Sequence, residues 1–218
     1  MSQSTIEPAA SRRSLAVRGR KPTISKRADG SQVIEGYAAV FYREGDKSTE
    51  FEIWPGFVER IRPGAFDRAL SERHDVRALV NHDSSQLLGR TAAGTCRLSI
   101  DATGLRYEID FDETDPDHLR AKSKIDRGDM DGSSFSFLPA RTVWIEEGES
   151  SIREIEDLDL FDVGPVTWPA YEGTTAGIRS KAEIESLRAE FEERKQSRKS
   201  EADSVAVSAA LSRIEVDN

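Results

Sequence analysis

The stretch Thr95-Cys96-Arg97-Leu98-Ser99-Ile100-Asp101-Ala102-Thr103-Gly104-Leu105-Arg106-Tyr107-Glu108-Ile109-Asp110-Phe111 decides how the chain is read. Two alternating segments, residues 95–100 and 105–111, flank Asp101-Ala102-Thr103-Gly104. Alternation at period two marks strands with one face toward a core, and Asp, Thr and Gly are turn formers, so the stretch is a β-hairpin. Working outward, Val33 to Tyr42 is rich in β-branched and aromatic residues, and Glu50 to Trp54 is a second strand candidate. Pro63 to Leu70 reads as a short helix, with Phe66, Ala69 and Leu70 at i, i+3 and i+4. Asp75 to Asn81 is a strand with Val76, Ala78 and Val80 on one face, and Leu87 to Thr91 follows. Asp115-Pro116 opens a helix that Gly128 ends. Ser133 to Thr142 is a strand, and Ile152 to Val166 holds one or two more. The regular turn spacing predicts an α+β, mainly β fold, a barrel or sandwich carrying a few helices.

The ends differ from this middle. Residues 1–30 are rich in Ser, Arg and Ala without a sustained period and read as a flexible basic arm. Residues 31–179 form the folded domain. Residues 180–218 are a charged helical or disordered extension. Within it Lys181 to Lys199 is a charged helix with Ile184, Leu187 and Phe191 as a thin apolar stripe, either solvated or docking a partner. At 37% hydrophobic and 33% charged residues, 218 residues support one core and a solvated remainder. No apolar run approaches the length of about 18 residues that a membrane span needs. The N-terminus lacks the apolar stretch of a secretory signal. A single cysteine, Cys96, and no Cys/His cluster predict a soluble protein of a reducing compartment, without disulfide, metal or cofactor. The net charge is −9. Residues 1–27 hold seven cations against Glu7, a local +6 that leaves −15 for the rest. An acidic body does not bind nucleic acid through its surface; only Arg12 to Arg27 offers such a site.

Three features carry possible chemistry. His74 lies in a charged stretch and His118 beside Asp117 on an amphipathic helix, so both read as surface histidines. His82 closes an apolar strand between Asn81 and Asp83, either as a structural cap or as a base presented to a cleft. Gly132-Ser133-Ser134-Phe135-Ser136-Phe137 is a strand with Ser134 and Ser136 on one face and Ser133 on the other. It is either small-residue packing or the seat of a nucleophile, which would need a base within about 2.6–3.2 Å. The Gly-x-Ser-x-Gly elbow is absent, which removes an α/β-hydrolase reading. Asp162 stands between Phe161 and Val163, where a buried acid needs a hydrogen-bonding partner. Beyond it Gly164, Pro165 and Pro169 rigidify a loop whose free backbone N–H groups are candidate oxyanion donors.

The order of a strand, Pro63-Gly64-Ala65-Phe66, Asn81-His82-Asp83, a helix, Gly132 to Phe137, and Asp162-Val163-Gly164-Pro165-Val166-Thr167-Trp168-Pro169-Ala170-Tyr171 resembles the caudovirus prohead serine proteases, over about residues 33–178. These capsid maturation proteases of tailed phages share the herpesvirus assemblin fold, so the resemblance implies an assemblin-like β-barrel with a few surrounding helices. It implies His82 as base, Ser134 as nucleophile, Asp162 as the third member and the Ala170 N–H as oxyanion donor. Ser133 stands where a large apolar residue is usual, Ser136 where glycine is usual, and Asp162 where glutamate is common. Ser133 and Ser136 therefore stay open as nucleophiles, and Glu154, Asp157 and Asp159 as acids. The resemblance further implies an endopeptidase that cuts major capsid and scaffold proteins, and itself, inside the prohead in the host cytoplasm. No cofactor or membrane is involved, and a homodimer is implied by the viral relatives. A scaffolding protein that keeps the fold without catalysis is the alternative, followed by a serine esterase and by nucleic-acid binding through the arm.

Overall fold

The computed structural model describes residues 13–17, 21–147, 150–167, 185, 187–193, 195–197 and 200. The chain divides into two compact units, Met1–Ile178 and Arg179–Asn218. In the second, residues 187–193 and 195–197 are helical, inside the segment whose spacing predicts a charged helix.

The first unit is built from two sheets. The smaller has the order β2 (Thr23–Lys26), β3 (Gln32–Val40), β9 (Gly104–Asp110) and β8 (Cys96–Ile100), all antiparallel. β8 and β9 are the hairpin read from residues 95–111, with Ser99 opposite Arg106. The larger sheet runs β1 (Arg13–Val17), β10 (Gly132–Glu147), β11 (Ser150–Val166), β5 (Phe57–Ile61) and β4 (Glu50–Trp54). β6 (Arg77–Leu79) also pairs with β11, and with β7 (Leu87–Arg90). Two α-helices are described in this unit, α1 (Asp67–Ser71) and α2 (Pro116–Arg127). α2 starts where Asp115 accepts a hydrogen bond from the Asp117 N–H at 2.7 Å and stops at left-handed Gly128, as its Asp-Pro and Gly signals predict.

The fold is mainly β, but the described strands form two sheets and do not close into a barrel. Alternation reports which face of a strand is buried, whereas closure depends on tilt and stagger between distant strands. The N-terminal region differs too. β1 and β2 form within residues 1–30, because their backbone groups pair with β10 and β3, partners that a local reading does not see.

β3 lies against β1, β10 and β11, and the core fills the space between the sheets. Phe66, Phe135 and Phe137 are fully buried there. The Phe66 and Phe135 rings meet edge-on at 5.4 Å, and Phe135 stacks on Phe137 at 4.8 Å. β10 is buried on both faces from Gly132 to Phe137. Its serines therefore cannot turn to water, and each requires a hydrogen-bond partner inside the protein.

Candidate active site

The imidazole comes from the turn after β6. Asn81 and His82 both have left-handed backbone, with φ of 54° and 59°. Such a conformation costs a non-glycine residue about 1–2 kcal/mol, least for asparagine and aspartate, which bond locally. Contacts to the end of β11 hold it. The Asn81 N–H donates to the Pro165 carbonyl at 3.1 Å. Asn81 Oδ1 accepts from the Thr167 N–H at 2.9 Å and from its hydroxyl at 3.1 Å. The turn therefore rides on the strand that carries Asp162.

β11 lies between β6 and β10 in the sheet. Its register sets Asp162 opposite Ser136 and Gly164 opposite Ser134. β6 comes close enough that a Cβ on Gly164 would lie 2.1 Å from the Leu79 carbonyl oxygen. That close approach brings His82, three residues beyond Leu79, over β11 toward β10.

There the three side chains stand in series. His82 Nδ1 lies 2.5 Å from Asp162 Oδ1, and His82 Nε2 lies 2.8 Å from Ser134 Oγ. Asp162 is 1% exposed, and its second oxygen accepts a hydrogen bond from the Ser136 hydroxyl. The buried carboxylate thus has the partners its burial demands. With Nδ1–H donated to Asp162, Nε2 faces the Ser134 hydroxyl as an acceptor. Ser134 Oγ has a further neighbour, the Leu15 carbonyl oxygen of β1 at 2.7 Å.

The serine run separates into three roles. Ser133 points to the opposite side of β10 and meets the Tyr107 hydroxyl at 2.8 Å, beyond reach of the imidazole. Gly36 makes room for that pair, since a Cβ there would lie 2.6 Å from the Tyr107 hydroxyl oxygen. Burial pushes the Tyr107 phenol well above its ordinary pKa. Ser134 and Ser136 share the other face, as alternation predicts, but only Ser134 meets His82.

The remaining candidates lie elsewhere. Glu154 sits near Arg60 and Arg62 at 3.9 and 3.6 Å, and Asp157 and Asp159 both pair with Arg68. Ala170 is outside the described residues. His118, read as a surface histidine, is only 4% exposed and packs edge-on against Phe111, with Nδ1 accepting from the Asp112 N–H at 3.2 Å. Its helix turns that face inward, which an amphipathic pattern of such low hydrophobicity does not reveal. His74 is half-buried beside Glu72 and the Leu160 N–H. Cys96 is buried and free, and burial pushes its thiol up to about 12. Among the described residues no three His, Cys, Asp or Glu side chains group to hold a metal ion, and no helix is long and apolar enough to cross a membrane. Tyr107 and Leu15 are contributors that the sequence reading misses, and Asn81, quoted there beside His82, holds the turn through contacts it does not foresee. Only Asn81 carries a local signal, its tolerance of left-handed backbone next to a histidine.

A buried carboxylate, an imidazole and a hydroxyl in series is the arrangement serine hydrolases use. A model of the caudovirus prohead serine protease family matches residues 20–189, and the chain belongs to that family. Among solved structures it is similar to the capsid assembly protease of bacteriophage T4, at 12% identity and a TM-score of 0.43 over 72% of this chain and 98% of that one. No curated protein matches it in sequence.

Proposed function

We propose that the chain is a serine endopeptidase of prohead maturation, with Ser134 as nucleophile, His82 as general base and Asp162 as the group that orients the imidazole. One observation carries this reading: His82 bonds Asp162 at 2.5 Å through one ring nitrogen and Ser134 at 2.8 Å through the other. Membership of the prohead protease family supports it. The domain that does the work is residues 31–179 with β1 and β2 of the arm paired onto its sheets, and the C-terminal extension is a segment for docking or self-processing.

The chemistry follows from the series. Ser134 Oγ attacks the peptide carbonyl carbon while His82 Nε2 takes its proton. Asp162 holds the Nδ1–H tautomer and stabilises the imidazolium that forms. The imidazolium gives its proton to the leaving amine, and an acyl-enzyme remains. Water, deprotonated by the same Nε2, then attacks the ester and releases Ser134. The oxyanion is held by a backbone N–H, for which Ala170 is the candidate because Pro169 has none. Substrates are the major capsid protein and scaffold segments, together with the chain's own termini, and the enzyme works inside the immature capsid as a homodimer.

The test follows wild type and Ser134→Ala, each mixed with the major capsid and scaffold proteins, on denaturing gels over time. Wild type trims them and the variant, slowed on the order of 10⁶-fold, does not. Equal, intact bands for both would favour the scaffolding alternative.

A further inference from the structure

The nucleophile is not open to solvent. Ser134 is 1% exposed, and β1 lies along the strand that carries it. β1 pairs antiparallel with β10, with Leu15 opposite Phe135 and Ala16 opposite Ser134. Among the described strands it is the edge of its sheet, and without it β10 would be that edge. A sheet edge beside a nucleophile is where an extended peptide can add itself as one more strand, its backbone giving affinity and its side chains specificity. β1 already lies there, and the Leu15 carbonyl oxygen sits 2.7 Å from Ser134 Oγ. The Leu15 side chain is fully buried in the core cluster, as an anchoring residue in a specificity pocket would be.

The pose is not a productive one. A serine hydroxyl has one proton. Donated to the Leu15 oxygen, that proton is withheld from His82 Nε2, which stands 2.8 Å away on the other side. Attack also requires Oγ to meet a carbonyl carbon, whereas here it is hydrogen-bonded to the carbonyl oxygen.

We propose that residues 13–17 are a built-in occupant of the substrate strand position and hold the peptidase shut. A substrate replaces them in the same antiparallel register, with an aliphatic residue where Leu15 lies. This rests on the peptidase reading above.

The test uses the full chain and measures how fast a fluorophosphonate labels Ser134. Four forms are compared: wild type, Leu15→Asp, Leu15→Ile, and a chain carrying a site-specific endoprotease sequence between residues 18 and 21. The last is folded intact, cut, and freed of the arm by gel filtration, which keeps the test valid should Leu15→Asp not fold. Circular dichroism checks that each form keeps its strands. Leu15→Asp and the cut chain should label at least tenfold faster than wild type, Leu15→Ile should match wild type, and an excess of a synthetic peptide of residues 11–20 should slow the cut chain again. Equal or slower labelling of the folded, cut chain would overturn the inference and leave the peptidase reading standing. No labelling in any form would remove both.

Discussion

Each ring nitrogen of His82 has its own partner, and the two contacts are of unequal consequence. The bond to Asp162 sets which nitrogen carries the proton, and the bond to Ser134 uses that choice. Asp162→Asn keeps the shape but can present an N–H to Nδ1, which selects the wrong tautomer. The rate of peptide cleavage should fall on the order of 10⁴-fold, far more than the loss of about 1–3 kcal/mol in stability that weakening its buried hydrogen bonds brings. Tyr107→Phe probes the other face of β10. It leaves the buried Ser133 hydroxyl without its partner and should lower unfolding free energy by about 1–3 kcal/mol in a urea titration. Cleavage by the folded variant should stay at the wild-type rate, because Ser133 does not touch the imidazole. Loss of cleavage without loss of stability would give Ser133 a part in the chemistry.

At the scale of elements, the site depends on how closely β6 approaches β11. A Cβ on Gly164 would meet the Leu79 carbonyl oxygen at 2.1 Å, and backbone cannot step aside as a flexible side chain can. Gly164→Ala should therefore move β6 away from β11 and carry the Asn81–His82 turn with it. A loss of about 2–4 kcal/mol in stability is expected, at the upper end of what single substitutions cost. Cleavage should fall more steeply than stability, since His82 needs its 2.8 Å contact to Ser134. Chemical denaturation and the cleavage rate of the folded fraction check the two effects separately.

For the whole molecule, the two sheets enclose one core, and Cys96 reports on its integrity. The thiol is buried, and that burial pushes it up to about 12 from an ordinary value near 8.5. At pH 8 only a negligible thiolate fraction exists in the folded chain, and thiolate is the reactive form. A thiol reagent such as dithionitrobenzoate should leave native protein unmodified over hours and react with one equivalent in denaturant. Rapid reaction of the native chain would mean that the β8 side of the core opens readily.

Much of this architecture can be read locally. The period-two pattern of residues 95–111 yields the β8–β9 hairpin, and Asp115-Pro116 with Gly128 yields α2 within a residue. Alternation in residues 133–136 correctly separates Ser133 from Ser134 and Ser136. These features are legible because dihedral preference, capping and side-chain direction are properties of neighbours along the chain. What stays hidden depends on residues far apart in sequence. The meeting of His82 with Ser134 spans 52 positions and that with Asp162 spans 80, so no local pattern reports it and only the family resemblance implies it. The buried face of His118, the arrangement of strands as two sheets, and the docking of residues 13–17 against β10 are likewise outcomes of packing. A strand's pattern states that it needs a partner, but the identity of that partner follows from which pairing buries the most apolar surface while leaving no backbone group unsatisfied.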